Sequence, residues 1–135
     1  MAHSPATVLV IDDEPAIGVI LRRTLDRDHD VVVATSGRDA LARINRGDQF
    51  DVILCDLMMP DMTGMDVHAL LGARAPQYLD RIVFVTGGTF TDAASDFVRR
   101  ARVTVIEKPF RATELRALIR TVADGGGPAR SGRPS

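Results

Sequence analysis

Five short apolar runs recur along the chain at fairly even spacing. They are TVLVI (7–11), VVVA (31–34), VILC (52–55), IVFV (82–85) and VTVI (103–106). The runs are rich in β-branched residues, and most are continuously apolar, which is typical of parallel strands covered on both faces. The pattern therefore predicts five buried parallel strands.

Between these runs, apolar residues recur with the spacing of a helix face. The clearest case follows the last run, where Leu115, Leu118, Ile119 and Val122 fall at i, i+3, i+4 and i+7. Four other segments show the same spacing: Ile17, Ile20, Leu21 and Leu25; Leu41 and Ile44; Val67, Leu70 and Leu71; Ala94, Phe97, Val98 and Ala101. The pattern thus predicts five helices.

The first helix also carries a start signal. Pro15 suits the first turn, with Asp13 or Glu14 as the N-cap.

Strand and helix alternate five times, which predicts an α/β fold: right-handed crossovers and a doubly wound parallel sheet, (βα)5, with helices on both faces. The length of 135 residues favours one domain. We place this domain at residues 6–123, after an N-terminal extension at 1–5. The segment 124–135, DGGGPARSGRPS, has no apolar face and is predicted to be a disordered tail or linker.

Composition excludes several classes of protein. The formal net charge of −1 does not favour nucleic acid or an anionic membrane as a direct partner. The start, MAHSPAT, lacks the basic and apolar regions of a signal peptide, and the apolar runs are too short to span a bilayer. The single cysteine, Cys55, rules out a disulfide within the chain. We expect a soluble, cytoplasmic protein.

Polar residues follow four of the five strands at the point where each strand ends. They are Asp12, Asp13 and Glu14 after the first, Asp56 after the third, Thr86, Gly87 and Gly88 after the fourth, and Glu107 and Lys108 after the fifth. In open α/β sheets the ligand lies beyond the carboxyl ends of the strands. If the first, third, fourth and fifth strands are neighbours, these side chains converge.

Converging carboxylates repel one another and need a cation, for which Mg²⁺ is the best fit because it prefers oxygen ligands. A carboxylate beside Mg²⁺ can act as a nucleophile toward a phosphoryl group, and a hydroxyl and an ammonium can bind the phosphoryl oxygens. Asp56, Thr86 and Lys108 supply that set. Taken singly, each of these residues has an ordinary structural explanation, such as a cap or a surface charge. Lys108 is distinctive because the other 16 basic side chains are arginine.

Four motifs at these positions resemble the receiver domain of bacterial two-component response regulators. They are VLVIDDEP, VILCDLMMPDMTGMD, FVTGG and EKPF, and the resemblance extends over about residues 6–123. It implies a flavodoxin-like sheet with strand order 2-1-3-4-5. It also implies a cis Lys108–Pro109 peptide bond, because this bond is commonly cis in the family. Such a domain is a signalling module rather than an enzyme, and it assists only its own phosphorylation and dephosphorylation.

The resemblance also assigns roles to residues. It implies that Asp56 accepts a phosphoryl group from a histidine kinase or a phosphotransfer protein. Mg²⁺ would be held by Asp13, Asp56 and the backbone carbonyl of Met58, with Asp12 acting directly or through water. Thr86 and Lys108 would contact the phosphoryl group. The fourth helix, fifth strand and fifth helix would form the surface that meets an unknown downstream protein.

The chain departs from the family pattern at the aromatic residue that takes part in switching between the unphosphorylated and phosphorylated states. An aromatic residue often stands three positions before the lysine, where this chain has Val105. We expect Gly87 and Gly88 to let the following loop rearrange, and one of three other aromatics to replace the missing ring: Phe84, Phe90 or Phe110. Apolar Met58 cannot orient a hydrolytic water, which predicts a long-lived phosphoryl state.

Other residues of this region are expected to be structural or solvated. Cys55 should face a helix layer as a core thiol, because strand neighbours point to opposite faces. Asp61 and Asp66 should be solvated. The three histidines have no metal-ligand spacing: His3, His29 and His68.

Three alternative functions remain open. The chain could be a receiver fragment of a hybrid histidine kinase. A haloacid-dehalogenase-like aspartyl phosphatase would need an acid two residues after its nucleophile, where Met58 stands. A nucleotide- or flavin-binding module would need a glycine-rich loop after the first strand, where DDEPAIG is acidic.

Overall fold

The computed structural model describes residues 5–87 and 91–125. Its elements alternate as the apolar runs predict, and each strand follows the preceding helix after a short connection. In order they are β1 (Thr7–Ile11), α1 (Pro15–Leu25), β2 (Asp30–Ala34), α2 (Gly37–Asn45), β3 (Val52–Asp56), α3 (Gly64–Arg74), a 3₁₀ helix (Pro76–Asp80), β4 (Ile82–Thr86), α4 (Asp92–Ala101), β5 (Thr104–Glu107) and α5 (Ala112–Ala123).

The five strands form one sheet in the order β2-β1-β3-β4-β5, and all four neighbouring pairs are parallel. This is the flavodoxin-like order 2-1-3-4-5 that the resemblance implies, and the fold class is confirmed. β1 and β3 lie side by side at the point where the order reverses, so their carboxyl ends flank the crevice in which such sheets bind ligands.

Two hydrophobic cores cover the two faces of the sheet. Alternate strand residues such as Leu9, Ile53 and Phe84 pack with α2, α3 and α4. Their neighbours in sequence, such as Val10 and Leu54, pack with α1 and α5. Because both faces are buried, the strands read as continuous apolar runs rather than as alternating ones.

The structure differs from the sequence prediction at a few ends of helices and strands. Glu14 is the N-cap residue of α1, but no side chain caps that helix. β5 begins at Thr104 rather than Val103, and it ends at Glu107. β3 and β4 each extend one residue further than their apolar runs, so that Asp56 and Thr86 still belong to strands. Polar residues can complete a strand whose last side chain faces a polar crevice.

Several predicted features lie outside the described residues. These are residues 1–4, with His3; residues 88–90, with Gly88 and Phe90; and residues 126–135, most of the predicted tail. Within the described residues, no helix combines the length and the apolar character needed to cross a bilayer.

Candidate functional site: a carboxylate cluster at the carboxyl ends of β1 and β3

Three aspartates meet where β1 and β3 end. Asp12 and Asp13 directly follow β1, and Asp56 is the last residue of β3. One carboxylate oxygen from each lies within 4.8 Å of the others. We call Asp12, Asp13 and Asp56 the carboxylate cluster. The convergence that the strand ends predict is therefore present.

The three carboxylates differ in their surroundings. Asp12 is buried, and its Oδ1 accepts a hydrogen bond from the Glu14 backbone N–H at 2.9 Å. Asp13 is exposed, and Asp56 is partly buried. Asp56 Oδ1 accepts a hydrogen bond from the Met58 backbone N–H at 3.2 Å. These backbone donors hold Asp12 and Asp56 in place, while Asp13 is open to a ligand from solvent.

The electrostatics of the cluster favour a cation. Burial, followed by the neighbouring charge of Asp12, raises the pKa of Asp56 to about 6, although the Met58 N–H and Lys108 act in the opposite direction. Burial likewise raises the pKa of Asp12, against the Glu14 N–H and Lys108. Raised pKa values mean that the negative charge of the cluster is under-compensated by the protein itself.

Lys108 provides the nearest positive charge. Its Nζ lies 3.8 Å from Asp12 Oδ2, and its side chain keeps 26% of its exposure. Its backbone N–H donates to the carbonyl of Thr86 at 2.7 Å, which ties the ends of β4 and β5 together. The Lys108–Pro109 peptide bond is cis, as the resemblance implies. One partly exposed ammonium near the cluster leaves room for a further ligand.

Thr86 is buried at the end of β4, one residue after Val85, which is the register partner of Asp56. Met58 is exposed by 38% just after β3. The structure thus brings Asp12, Asp13, Asp56 and Lys108 together, with Thr86 and Met58 at the same edge of the sheet.

The donor set fits a hard divalent cation. Three carboxylates with oxygen atoms this close, one of them buried with a raised pKa, are the ligands that Mg²⁺ prefers. Among the described residues, no other group of three acidic, histidine or cysteine side chains has this geometry. The arrangement can therefore hold a cation and present a carboxylate to an anion beside it.

Gly64 is a structural part of the site that the sequence analysis did not identify. A Cβ there would lie 2.9 Å from the carbonyl oxygen of Asp56 and from Leu57 Cα. The Gly64 N–H also donates to the Leu57 carbonyl at 2.9 Å. Only glycine allows α3 to begin this close to the end of β3. A glycine eight residues after the strand-end acid Asp56 is the signal that could have identified it.

The other polar residues near the cluster are structural. Cys55 is buried in the core beneath α2, α3 and α4, as predicted. Asp61 is exposed, as predicted. Asp66 is exposed but not merely solvated, because it forms a capping box with Thr63 at the start of α3. Aspartate three residues after threonine is the sequence signal of this cap.

The two histidines among the described residues have structural roles. His29 Nδ1 accepts a hydrogen bond from the Ala6 N–H at 3.0 Å. His68 contacts Phe84 and Phe97. Of the aromatics that could replace a ring on β5, Phe84 lies in the core on the side of α2, α3 and α4 and Phe110 packs on the opposite side, against the core of α1 and α5.

Comparison with known proteins agrees with this geometry. The family described as the response regulator receiver domain matches residues 8–120. The regulatory protein LuxO of Vibrio cholerae is 33% identical over 111 residues, which are 82% of this chain and 24% of LuxO. The aerobic respiration control sensor protein ArcB of Escherichia coli is 29% identical over 119 residues, 87% of this chain and 15% of ArcB. The chain thus spans a quarter or less of these two relatives.

Solved structures show the same fold at nearly full length. The chemotaxis protein CheY4 of Vibrio cholerae superposes with a TM-score of 0.73 at 31% identity, over 87% of this chain and 98% of CheY4. The family match covers all five strands apart from Thr7, and it includes the whole carboxylate cluster. The chain belongs to the response regulator receiver domain family of two-component signal transduction.

Proposed function

We propose that Asp56 is the phosphoacceptor of this receiver domain, and that it takes a phosphoryl group from a histidine kinase or a phosphotransfer protein. The observation that carries the proposal is the carboxylate cluster, in which a partly buried Asp56 lies beside two further aspartates and one ammonium. In this proposal Asp12, Asp13, Asp56 and the backbone carbonyl of Met58 hold Mg²⁺. When bound, Mg²⁺ supplies the positive charge that the cluster lacks and that phosphoryl oxygens require.

The attacking atom follows from the hydrogen bonds of Asp56. Its Oδ1 is held by the Met58 N–H, which orients the carboxylate plane. Oδ2 attacks phosphorus, so that an oxygen–phosphorus bond forms while the bond from phosphorus to the donor imidazole nitrogen breaks. The imidazole leaves with the electron pair of that bond. The acyl phosphate that results is a covalent intermediate held on the protein.

Two side chains bind the transferred group. Lys108 shifts its ammonium from Asp12 toward the new phosphoryl oxygens, a short movement since its side chain is partly exposed. The buried hydroxyl of Thr86 donates to another of these oxygens. Both contacts strengthen as negative charge moves from the donor onto Asp56.

The domain switches a partner surface and does not turn over a substrate. The output surface in this proposal consists of α4 and β5, which lie between Thr86 and Lys108 in the sequence, and α5, which follows Lys108. Phosphorylation would shift a two-state equilibrium of this surface. The match covers 98% of CheY4 but only 15% of ArcB, which is named a sensor protein, so a stand-alone regulator and a fragment of a hybrid kinase are both compatible with these relatives. The cytoplasmic location stays a prediction.

Phosphorylation by a small acyl phosphate tests the proposal. Wild type, Asp56→Asn and the exposed-loop control Asp61→Asn are incubated with acetyl phosphate and Mg²⁺, and intact mass is recorded. Wild type and Asp61→Asn should each gain one phosphoryl group, and Asp56→Asn none. Equal phosphorylation of Asp56→Asn would refute the assignment.

The same samples separate this function from the phosphatase alternative. A receiver releases phosphate only at the rate at which its own acyl phosphate hydrolyses. A haloacid-dehalogenase-like phosphatase would release many equivalents of phosphate from several phosphate esters. Met58 offers no proton for such turnover at the position where that family has an acid.

A further inference from the structure

One large side chain anchors α4 to the rest of the domain. Of the ten residues Asp92–Ala101, only Ala94 and Phe97 are buried, and Val98 is partly buried beside them. By contrast, α5 buries three large aliphatic side chains. Elements with few buried apolar contacts move at the lowest free-energy cost. The position of α4 therefore depends mainly on where Phe97 packs.

Phe97 packs in an aromatic cluster that joins three elements. Its ring meets His68 of α3 edge-on, at a centroid distance of 5.1 Å and an interplanar angle of 80°. It meets Phe84 of β4 in the same manner, at 5.6 Å and 86°. His68 and Phe84 are 6.2 Å apart. We call His68, Phe84 and Phe97 the aromatic cluster; edge-to-face pairs of this kind are favourable beyond the area that they bury.

Phe84 links the aromatic cluster to the phosphoryl site in two ways, through its own strand and through Gly64. Phe84 stands two residues before Thr86 on the same strand, so both side chains point to the same face of the sheet. The Phe84 ring also approaches Gly64 so closely that a Cβ there would lie 2.9 Å from Phe84 Cε1. Gly64 in turn abuts the backbone of Asp56. Movement at either strand end therefore reaches Phe84 directly.

No aromatic ring of β5 lies beside Phe84, because β5 has Val105 at that position. It is the register partner of Phe84 across the β4–β5 pair, and it is only partly buried. Valine cannot supply the ring that receivers often carry at this position. Burial lowers the pKa of His68, which keeps its imidazole neutral at neutral pH and suited to packing against rings.

We propose that the aromatic cluster couples the phosphoryl site to the position of α4, with Phe97 as the side chain that moves. The proposal rests on the proposed function, because it requires Asp56 and Thr86 to respond to a phosphoryl group. In the structure described here, Phe97 is held between Phe84 and His68, which is the resting arrangement. Phosphorylation draws Thr86 inward, displaces Phe84, and so releases Phe97 and α4.

The experiment uses beryllofluoride with Mg²⁺ as a probe that mimics a phosphoryl group on a carboxylate. Its half-saturating concentration is measured by NMR for wild type, Phe97→Leu, His68→Ala and His68→Phe. Phe50→Leu is the matched control, since Phe50 is also a buried ring in the same core but lies next to the opposite end of β3 from Asp56. Ring resonances of Phe84 and Phe97 are followed in the same titrations.

Weakening the resting arrangement should make the probe bind more tightly, because less free energy is needed to leave that arrangement. Phe97→Leu and His68→Ala should lower the half-saturating concentration at least about fivefold, the lower range of allosteric coupling. His68→Phe keeps a ring at this position and should have the wild-type half-saturating concentration. Phe50→Leu should have the wild-type half-saturating concentration as well.

Two results would overturn the coupling while leaving the proposed function intact. One is wild-type probe affinity, or weaker affinity, in both Phe97→Leu and His68→Ala. The other is a set of Phe84 and Phe97 ring resonances that does not move when the probe saturates wild type. If the probe instead fails to perturb Asp56 in wild type, the proposed function itself is wrong.

Discussion

The carboxylate cluster should destabilise the protein when no divalent cation is present. Burial and the charge of Asp12 raise the pKa of Asp56 from 3.8 to about 6. The folded protein thus holds a proton on Asp56 more tightly than the unfolded chain does. For an acid with a raised pKa, stability is greatest below the unfolded value and is lost as pH rises through the folded value. At pH 7.5 the ionised Asp56 therefore opposes folding.

The size of the effect follows from the shift. A rise of about 2 in the pKa of Asp56 corresponds to at most about 3 kcal/mol in the free energy of unfolding. Asp56 is only partly buried, so water and salt screen the repulsion, and we expect about 1 kcal/mol at 0.1 M salt. Asp56→Asn removes the charge but keeps an oxygen that can accept the Met58 N–H. The variant should therefore be more stable than wild type by about 1 kcal/mol at pH 7.5.

Urea unfolding in the presence of EDTA measures this difference. Wild type, Asp56→Asn and the control Asp61→Asn are compared at pH 7.5 and again at pH 4.5. The gain of Asp56→Asn should shrink at pH 4.5, where the folded wild type is largely protonated at Asp56, and Asp61→Asn should match wild type throughout. Equal or lower stability of Asp56→Asn at pH 7.5 would refute the electrostatic account of the cluster.

Three further substitutions test packing and kinetics. Gly64→Ala should cost about 1–3 kcal/mol in urea unfolding, because its Cβ would meet the Asp56 carbonyl at 2.9 Å; wild-type stability would contradict the close approach. Tyr78→Phe should cost about 1–3 kcal/mol, since the buried Phe50 N–H loses its acceptor at 3.1 Å, and an unchanged urea midpoint would be inconsistent with that bond. Met58→Asn should speed loss of the phosphoryl group about fivefold, the effect of one hydrogen bond to the hydrolytic water; an unchanged decay followed by mass spectrometry would count against this role.

The fold was largely predictable because both faces of the sheet are buried. Continuous apolar runs such as VILC identify the strands, and the helical stripes give the covering helices. The strand order could not be predicted from periodicity, because a βα alternation is compatible with several orders. Only the resemblance selected 2-1-3-4-5. Element ends shifted by a residue where Asp56 and Thr86 complete their strands.

The reactive side chains of the site were predictable from the strand ends. Their burial and the contacts of the residues that surround them were not. Asp12 and Asp13 are adjacent in sequence, yet one is buried and the other exposed, and the sequence does not distinguish them. The close approach at Gly64 and the contact of His68 with Phe97 join residues that are distant in sequence. Such contacts depend on how helices pack on the sheet, and periodicity alone does not specify that packing.

The residue that carries the acyl phosphate decides whether Asp56 is the phosphoacceptor. Wild-type protein phosphorylated with acetyl phosphate and Mg²⁺ is reduced with borohydride, which converts an aspartyl phosphate to homoserine, and the peptides are sequenced by mass spectrometry. We expect homoserine at position 56 and unmodified aspartate at positions 12, 13 and 61. Homoserine at any of those other positions, with Asp56 intact, would contradict this assignment.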